Sequence, residues 1–203
     1  MPGLNLKNYI RQFIRDMTLV YKGWSGYWID GSQNHINSIK KNVSNAISTG
    51  QLKVACSFIN AENIESLFQR ADVPQEFDLL SIDIDRNDYH VWDAIKSYNP
   101  RVVIIEYNST FGPGCEFVVP YDAGAMWDGT SNFGASIESL YKLGAKKGYK
   151  LVACCFAGVN AFFVRDDMIG NNFEEPFTPK NHYEPPRYFL SASKNGHPRK
   201  VIL

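Results

Sequence analysis

Three aspartates follow an apolar stretch in the middle of the chain. Residues 77–82 carry mostly large apolar side chains, and Asp83, Asp85 and Asp88 come directly after them. In a β-strand, side chains two residues apart point to the same side, so Asp83 and Asp85 are expected to face one spot at the end of this strand. Two carboxylates held together repel each other unless a cation or a proton lies between them. The spacing therefore predicts a site for a cation, a proton or a substrate hydroxyl.

Two further residues next to this cluster are candidates for proton transfer. Asp88 stands where a helix is predicted to begin, so it is either part of the catalytic group or an N-cap. His90 lies within the first turn of that helix and is either a general base or a surface or capping residue. The predicted catalytic residues are Asp85, Asp88 and His90.

Predicted strands and helices alternate along the chain, and these elements must position the candidate residues. Continuous or alternating apolar runs predict strands, whereas apolar residues three and four apart predict helices. The strongest strand pattern is 101–107, an uninterrupted β-branched run typical of a strand covered on both faces. The other predicted strands are 26–30, 52–59 and 77–83, and the predicted helices are 35–47, 63–71, 89–98 and 135–149. Residues 150–166 are predicted to form a hairpin.

This alternation predicts an α/β fold with a Rossmann-like, mostly parallel sheet, helices on both faces and a C-terminal antiparallel hairpin. We predict one domain over residues 1–166. Residues 167–203 hold five of the ten prolines and show little periodicity, so we interpret them as an irregular Pro-rich extension.

Composition excludes several classes of protein. The formal net charge is zero, which argues against a nucleic-acid binder, because such binders cluster Lys and Arg. No apolar run approaches the length of a membrane helix, so no membrane association is expected. The four cysteines show no Cys-x-x-Cys pair and no zinc spacing. A reduced, cytoplasmic protein is the expectation.

The order of these segments resembles the class I S-adenosylmethionine-dependent methyltransferase fold, and most closely the FkbM-type methyltransferase group. The stretches that carry the resemblance span about residues 16–166. They are "GWSGYWIDGS" (23–32), "DLLSIDIDRNDY" (78–89), "VVIIEYN" (102–108), "GASIESL" (134–140) and "GYKLVACCFAGVNAFFVRD" (148–166).

The resemblance implies a cofactor site for S-adenosylmethionine at the carboxyl ends of the strands. Asp30 matches the acidic residue that bonds the ribose hydroxyls, and its alternative is a turn or cap residue. Asn60 and Ala61 match the adenine contact, and their alternative is a helix cap. Asp83 completes the implied cofactor set, and we expect Asp30 to converge with Asp83 and Asp85.

The resemblance also implies a metal site. Some methyltransferases of this fold hold Mg²⁺ with acidic and Asn residues at the ends of the two strands in question. Asp85, Glu106 and Asn108 are the matching residues here, and oxygen ligands suit a hard cation. The alternative is that these carboxylates bind substrate hydroxyls directly.

Two features depart from the family pattern. The family opens with a strand and a glycine-rich loop, but here only Gly3 precedes Gly23, and residues 4–21 have helical spacing. The family's glycine after the acid pair is replaced by Arg86. S-adenosylmethionine binding is therefore expected to be weak or absent. Another segment is expected to take the place of the missing central strand. The candidates are "RYFLSA" (187–192), "KVIL" (200–203), a partner chain in a homo-oligomer, or direct pairing of 26–30 with 77–83. The alternative is that the chain is N-terminally incomplete.

Three functions follow from these observations. The first is an O-methyltransferase that acts on a sugar, lipid or small metabolite, with activity retained or lost. The second is a non-enzymatic Rossmann-like binding domain, which the missing glycine loop favours. The third is a metal-dependent nucleotide-sugar transferase, since Asp83-Ile84-Asp85 is an Asp-x-Asp motif after an apolar strand. The expected partner is a small-molecule or glycan substrate.

Overall fold

The computed structural model describes residues 17–187. The chain consists of two compact units, of which the first ends at Ile59 and the second begins at Asn60. The architecture is α/β with two separate sheets, a parallel pair of strands in the first unit and a mixed four-stranded sheet in the second. Among the described residues, no helix combines the length and the apolar character needed to cross a membrane.

The first unit is built around one parallel strand pair. Its strands are β1 (Gly26–Asp30) and β2 (Leu52–Cys56), which pair in the register Gly26↔Leu52 to Asp30↔Cys56. Two helices connect them, α1 (Gln33–Asn42) and α2 (Ser44–Ser48). Residues 17–21 are helical, as the spacing of the N-terminal stretch predicts, and residues 1–16 lie outside the described part.

The helix predicted over 35–47 is divided in two. Ser32 caps α1, since its hydroxyl accepts from the His35 N–H at 3.4 Å. Val43 leaves the helical conformation with φ −123°, and α2 begins at the next residue. Val43 is itself buried in the core of this unit, where Ile36, Ile39 and Leu52 also pack. The break therefore keeps both helices against the strand pair.

The second unit contains four strands and four helices among its described residues. Strands and helices alternate through β4, and the last two strands form a hairpin. In chain order the elements are α3 (Ile64–Arg70), β3 (Leu79–Ile82), α4 (Asp88–Ala94), β4 (Val102–Glu106), α5 (Ile137–Lys146), β5 (Tyr149–Cys154), β6 (Asn160–Arg165), a 3₁₀ helix (Asp166–Met168) and α6 (Pro179–His182).

The order of strands in the second sheet is β3-β4-β6-β5. The prediction that 102–107 forms a central strand is confirmed, because β4 lies between β3 and β6, and Val103 and Ile105 have no exposed surface. The predicted hairpin is also confirmed, since β5 and β6 are antiparallel. The sheet is less parallel than predicted, however. In this sheet only β3 and β4 are parallel, because β1 and β2 form a separate sheet and the hairpin places β6 antiparallel beside β4.

A glycine lets helix α5 pack closely on this sheet. A Cβ added at Gly144 would lie 2.8 Å from two ring atoms of Phe163 and 3.2 Å from the ring of Trp92. Both aromatic side chains are buried, and their ring centroids are 4.9 Å apart. Only glycine therefore fits at this contact between α5, α4 and β6.

The described part of the C-terminal segment, 167–187, is irregular apart from its short helices, as predicted. It is nevertheless tied to the second unit by two tyrosines. The Tyr107 hydroxyl donates to the Glu184 carbonyl at 2.5 Å, and the Tyr183 hydroxyl donates to the Ser109 carbonyl at 2.7 Å. The domain boundary at 166/167 stays a prediction.

The substitutes predicted for the missing first strand have different outcomes. Strand 26–30 does not pair with the strand at 77–83, because β1 and β3 belong to separate sheets. "KVIL" and all of "RYFLSA" except Arg187 lie outside the described residues.

Candidate functional site

The ends of β3 and β4 bring three carboxylates together. These strands are parallel in the register Leu79↔Val102 to Ile82↔Ile105, so the next residues, Asp83 and Glu106, emerge side by side. Asp85 joins them from the following turn. One carboxylate oxygen of each residue lies within 4.8 Å of the corresponding oxygens of the other two. We call Asp83, Asp85 and Glu106 the carboxylate triad.

The predicted convergence of Asp83 and Asp85 is confirmed, but its geometric reason is different. The strand ends at Ile82, so the alternation of side chains along a strand does not apply to these two residues. Instead, Asp85 adopts a left-handed backbone with φ 67°. This conformation is costly for most residues but tolerated by Asp, and it turns the chain back so that Asp85 faces Asp83.

Asp88 stabilises this turn through a hydrogen bond to its backbone. Only 1% of its surface is exposed, and its Oδ1 accepts a hydrogen bond from the Ile84 N–H at 3.0 Å. The N-cap residue of α4 is Asn87, and Asp88 is the first residue of the helix. Its second oxygen, Oδ2, has no hydrogen-bond partner within the described residues. Asp88 thus holds residues 84–88 in the shape that presents Asp85.

The electrostatics of the site disfavour ionisation of its inner carboxyls. Burial raises the pKa of Glu106 well above its usual range, and the charges of Asp83, Asp88 and Asp85 raise it further. Burial is also the main cause that raises the pKa of Asp88 to about 7, while hydrogen bonds from the backbone oppose the shift. A proton on these inner carboxyls, or a cation bound to their ionised forms, would relieve the repulsion within the cluster.

His90 is held by a backbone carbonyl beside the site. Its Nε2 lies 2.8 Å from the Val119 oxygen, and because a carbonyl oxygen only accepts, Nε2 carries the proton. The ring also packs against Tyr121, with 5.1 Å between centroids. A general base at this position would have to use Nδ1. The catalytic role of His90 stays a prediction.

Asn108 is held by hydrogen bonds to three backbone groups. It is fully buried, and its Nδ2 donates to the carbonyls of Ser131 and Phe133 at 2.7 and 3.0 Å. Its Oδ1 accepts from the Thr110 N–H at 3.2 Å. The side chain thus anchors the loop around residues 131–133. Its role as a metal ligand stays a prediction. The other two predicted metal residues, Asp85 and Glu106, do lie together, and Asp83 joins them.

The predicted adenine-contact residues, Asn60 and Ala61, form hydrogen bonds just before the start of helix α3. The N–H of Asn60 donates to Asn63 Oδ1 at 3.0 Å, and the N–H of Asn63 donates to Asn60 Oδ1 at 2.9 Å. The Ala61 N–H donates to the Tyr121 hydroxyl at 3.1 Å, and that hydroxyl in turn donates to the Glu62 carboxylate. These bonds match the capping alternative, and the cofactor role of both residues stays a prediction.

Asp30 lies in the first unit, at the end of β1. Its Oδ1 accepts from the Ser32 N–H at 2.6 Å and lies 3.4 Å from His35 Nδ1. The carboxylate thus stabilises the turn that leads into α1. Its convergence with Asp83 and Asp85, and its contact with a ribose, stay predictions.

Sequence reasoning missed Asn160, which lies opposite Glu106 in the β4–β6 register. Residues directly opposite in antiparallel strands share one face of the sheet. The Asn160 Oδ1 is buried and has no hydrogen-bond partner in the described part of the chain. No sequence signal marks Asn160, because its position beside Glu106 depends on the hairpin register.

Comparison of the chain with protein-family models, curated proteins and solved structures found no match. The functional inference therefore rests on the residues and geometry of this chain.

Proposed function

We propose that the chain is an S-adenosylmethionine-dependent methyltransferase-like protein, which transfers a methyl group to a hydroxyl of a sugar, lipid or small metabolite. The observation that carries the proposal is the carboxylate triad at the carboxyl ends of two parallel strands, where open α/β sheets bind their ligands. The alternation of elements through β4 and the closing hairpin also support a Rossmann-like fold of this class.

The triad fits a divalent cation. Oxygen ligands lie about 2.0–2.1 Å from Mg²⁺ and about 2.3–2.6 Å from Ca²⁺, so opposite ligands are about 4 to 5 Å apart. The oxygens of Asp83, Asp85 and Glu106 do not exceed this range, since none lies more than 4.8 Å from another. Hard oxygen donors also match the preference of these ions. The three carboxylates would therefore hold Mg²⁺, Mn²⁺ or Ca²⁺ with little movement.

The chemistry of the site follows from this charge arrangement. When bound, the cation would polarise the acceptor hydroxyl and lower its pKa. Asp83, Asp85 and Glu106 would hold the cation, and without it burial and the neighbouring acids keep the pKa of Glu106 well above its usual range, so that this carboxyl would carry a proton. Asp88 is buried and keeps the Asp85 turn in place.

A nucleotide-sugar transferase is the second candidate. The specific observation in its favour is that both acids of Asp83-Ile84-Asp85 contribute to one cluster, as an Asp-x-Asp motif requires when a divalent ion clamps a diphosphate. The two candidates differ in the ligand they need. A methyltransferase binds S-adenosylhomocysteine without a metal, whereas a sugar transferase needs Mn²⁺ to bind a nucleotide sugar.

Calorimetric titration separates these functions. The chain is titrated with S-adenosylhomocysteine, with MnCl₂, and with UDP-glucose in the presence and absence of MnCl₂. Low-micromolar binding of S-adenosylhomocysteine supports the methyltransferase proposal. Binding of UDP-glucose only with Mn²⁺, and its loss in Asp85→Asn, supports the sugar transferase instead. Asp78→Asn is the matched control, because Asp78 is an exposed acid that pairs with Arg101 outside the cluster.

Three other outcomes bear on the proposal. Binding of Mn²⁺ without either organic ligand would favour a non-enzymatic domain that binds a cation. Absence of Mn²⁺ binding would refute the cation site itself. Binding of S-adenosylhomocysteine too weak to measure would count against the methyltransferase proposal.

A further inference from the structure

The second unit contains a cavity that the proposed function does not use. Its volume is about 260 Å³. It lies where residues 95–100 pass the last turn of α5 and the start of β5. The side chains that give it chemical character are three lysines and three aromatic residues: Lys96, Lys146, Lys147, Trp92, Tyr98 and Tyr149.

Lys147 is the central cation of this cavity. Its side chain is half-buried, and its Nζ donates to the Ile95 carbonyl at 2.6 Å. No carboxylate in the described residues lies within ion-pair distance of it. Burying an ammonium without a counter-charge is costly, so the site favours a ligand that supplies the missing negative charge.

The charges around Lys147 increase this preference. Lys96 and Lys146 share one carboxylate, that of Asp93, at 3.0 and 3.7 Å. The Glu65 carboxylate is also nearby, but it accepts hydrogen bonds from the backbone N–H groups of Lys96 and Ser97. Three ammonium groups therefore face two carboxylates. Burial lowers the pKa of Lys147 to about 8, and the charges of Lys96 and Lys146 contribute to the shift.

The aromatic residues define the shape of the apolar part. Trp92 and Tyr149 are buried and meet edge to face, with 5.9 Å between ring centroids. The Tyr149 hydroxyl donates to the Pro100 carbonyl at 2.6 Å, so this phenol is already satisfied and presents mainly its ring. Tyr98 adds another ring to the lining. Because Tyr98 is half-buried, its ring is the aromatic surface that a flat apolar group in the cavity can contact.

We propose that this cavity is a second ligand site, which binds a small molecule with one anionic group on a single flat apolar ring. The anionic group would lie against the Lys147 ammonium, and the ring would lie against Tyr98. The site is distinct from the carboxylate triad, whose charge has the opposite sign.

Calorimetric titration of the full chain at about pH 7 with phenyl phosphate tests the proposal. We expect one binding site, weaker binding by benzyl alcohol, which lacks the charge, and weaker binding by inorganic phosphate, which lacks the ring. Lys147→Met should weaken phenyl phosphate binding about 10- to 100-fold, the loss of one charge-assisted hydrogen bond. Lys147→Arg, which keeps the charge, should retain measurable binding.

Lys142→Met is the matched control, because Lys142 lies on α5, which ends next to Lys147, and it pairs with Glu116 and does not line the cavity. Binding of phenyl phosphate should be unchanged in this variant and in Asp85→Asn. Three results would overturn the proposal: no heat of binding up to about 10 mM phenyl phosphate, equal affinity in Lys147→Met, or equal affinity for inorganic phosphate.

Discussion

Asp83 and Glu106 emerge from neighbouring parallel strands with carboxylate oxygens no more than 4.8 Å apart. Two negative charges at this separation repel each other, and burial of Glu106 makes its ionisation still less favourable. The folded chain therefore stores electrostatic repulsion at the ends of β3 and β4, which a proton or a divalent cation relieves.

Glu106→Gln should stabilise the cation-free protein and abolish its stabilisation by divalent cations. Burial and the neighbouring acids raise the pKa of Glu106, so keeping this carboxyl in the folded chain costs free energy at neutral pH. The amide removes this cost but retains the size of the side chain. The measurement is the urea midpoint at neutral pH, without and with MnCl₂. In the unchanged protein, a cation at about 100 times its dissociation constant should add about 2.7 kcal/mol to the free energy of unfolding.

Asp78→Asn provides the comparison for this substitution, because it also neutralises one acid but leaves the triad intact. It should keep the full stabilisation by MnCl₂. Equal stabilisation of the Glu106→Gln variant and the unchanged protein would show that Glu106 does not contact the cation.

The backbone at Asp85 should favour glycine over alanine. Its φ of 67° lies in the left-handed region, which costs residues with a Cβ about 1 kcal/mol or more relative to glycine. Asp85→Ala should therefore be less stable than Asp85→Gly by about 1 kcal/mol. Both variants lack the carboxylate, so the difference between their free energies of unfolding isolates the backbone effect.

Asp93→Ala and Asp93→Gly are the control pair, for which we expect the opposite order of stability, with the alanine variant more stable. It lies within helix α4, where alanine is favoured over glycine by about 1 kcal/mol. If Asp85→Ala proved as stable as Asp85→Gly, the left-handed turn that brings Asp85 to Asp83 would be wrong.

Gly144→Ala should destabilise the second unit. In an open helix this change would stabilise by about 1 kcal/mol, but here the new methyl group would collide with the rings of Phe163 and Trp92. Overpacking of this kind costs about 1–3 kcal/mol, so a net loss is expected in chemical denaturation. Adding Phe163→Leu should recover part of the loss, and a more stable Gly144→Ala variant would contradict the packing of α5 on β6.

The stability of the protein should rise with pH as Lys147 loses its proton. Its pKa is lowered to about 8 in the folded chain, mainly by burial, whereas an unperturbed lysine titrates near about 10.4. Between these values the unfolded chain binds more protons than the folded one, so the free energy of unfolding increases with pH. The cost of the buried charge is fully present below about pH 7.

Lys147→Met should therefore be more stable than the unchanged protein at about pH 6, and the difference should shrink toward about pH 10. Urea midpoints across this range provide the measurement. Lys142→Met, whose lysine is exposed, should not show a shrinking difference in the same window. A constant difference for Lys147→Met would mean that Lys147 titrates normally.

Local sequence pattern was sufficient to predict most of the elements. The unbroken β-branched run at 102–106 predicts a buried central strand, because only such a strand buries both of its faces, and β4 has this position. The apolar stretch before Asp83 likewise predicts β3, and the paired runs within 150–166 predict the hairpin. These features depend on residues close together in the chain, so their periodicity is visible in the sequence.

Helix α4 shows where local pattern is insufficient. The spacing predicts a helix over 89–98, but α4 ends at Ala94. The reason lies in another helix: Glu65 of α3 accepts hydrogen bonds from the N–H groups of Lys96 and Ser97 at 2.7 and 2.6 Å. These bonds replace the helical ones, and no residue near position 95 signals them.

Some features of the candidate site are likewise visible in the sequence, whereas others depend on the tertiary structure. The amino-acid sequence by itself determined that Asp83, Asp85 and Glu106 follow apolar strands, because acids that interrupt buried runs are visible as a pattern. Only the tertiary structure decided that Asp85 turns back through a left-handed residue, that Asn108 anchors a loop and that Asn160 lies opposite Glu106. These relationships depend on strand register and on contacts between residues distant in the chain, which local periodicity does not encode.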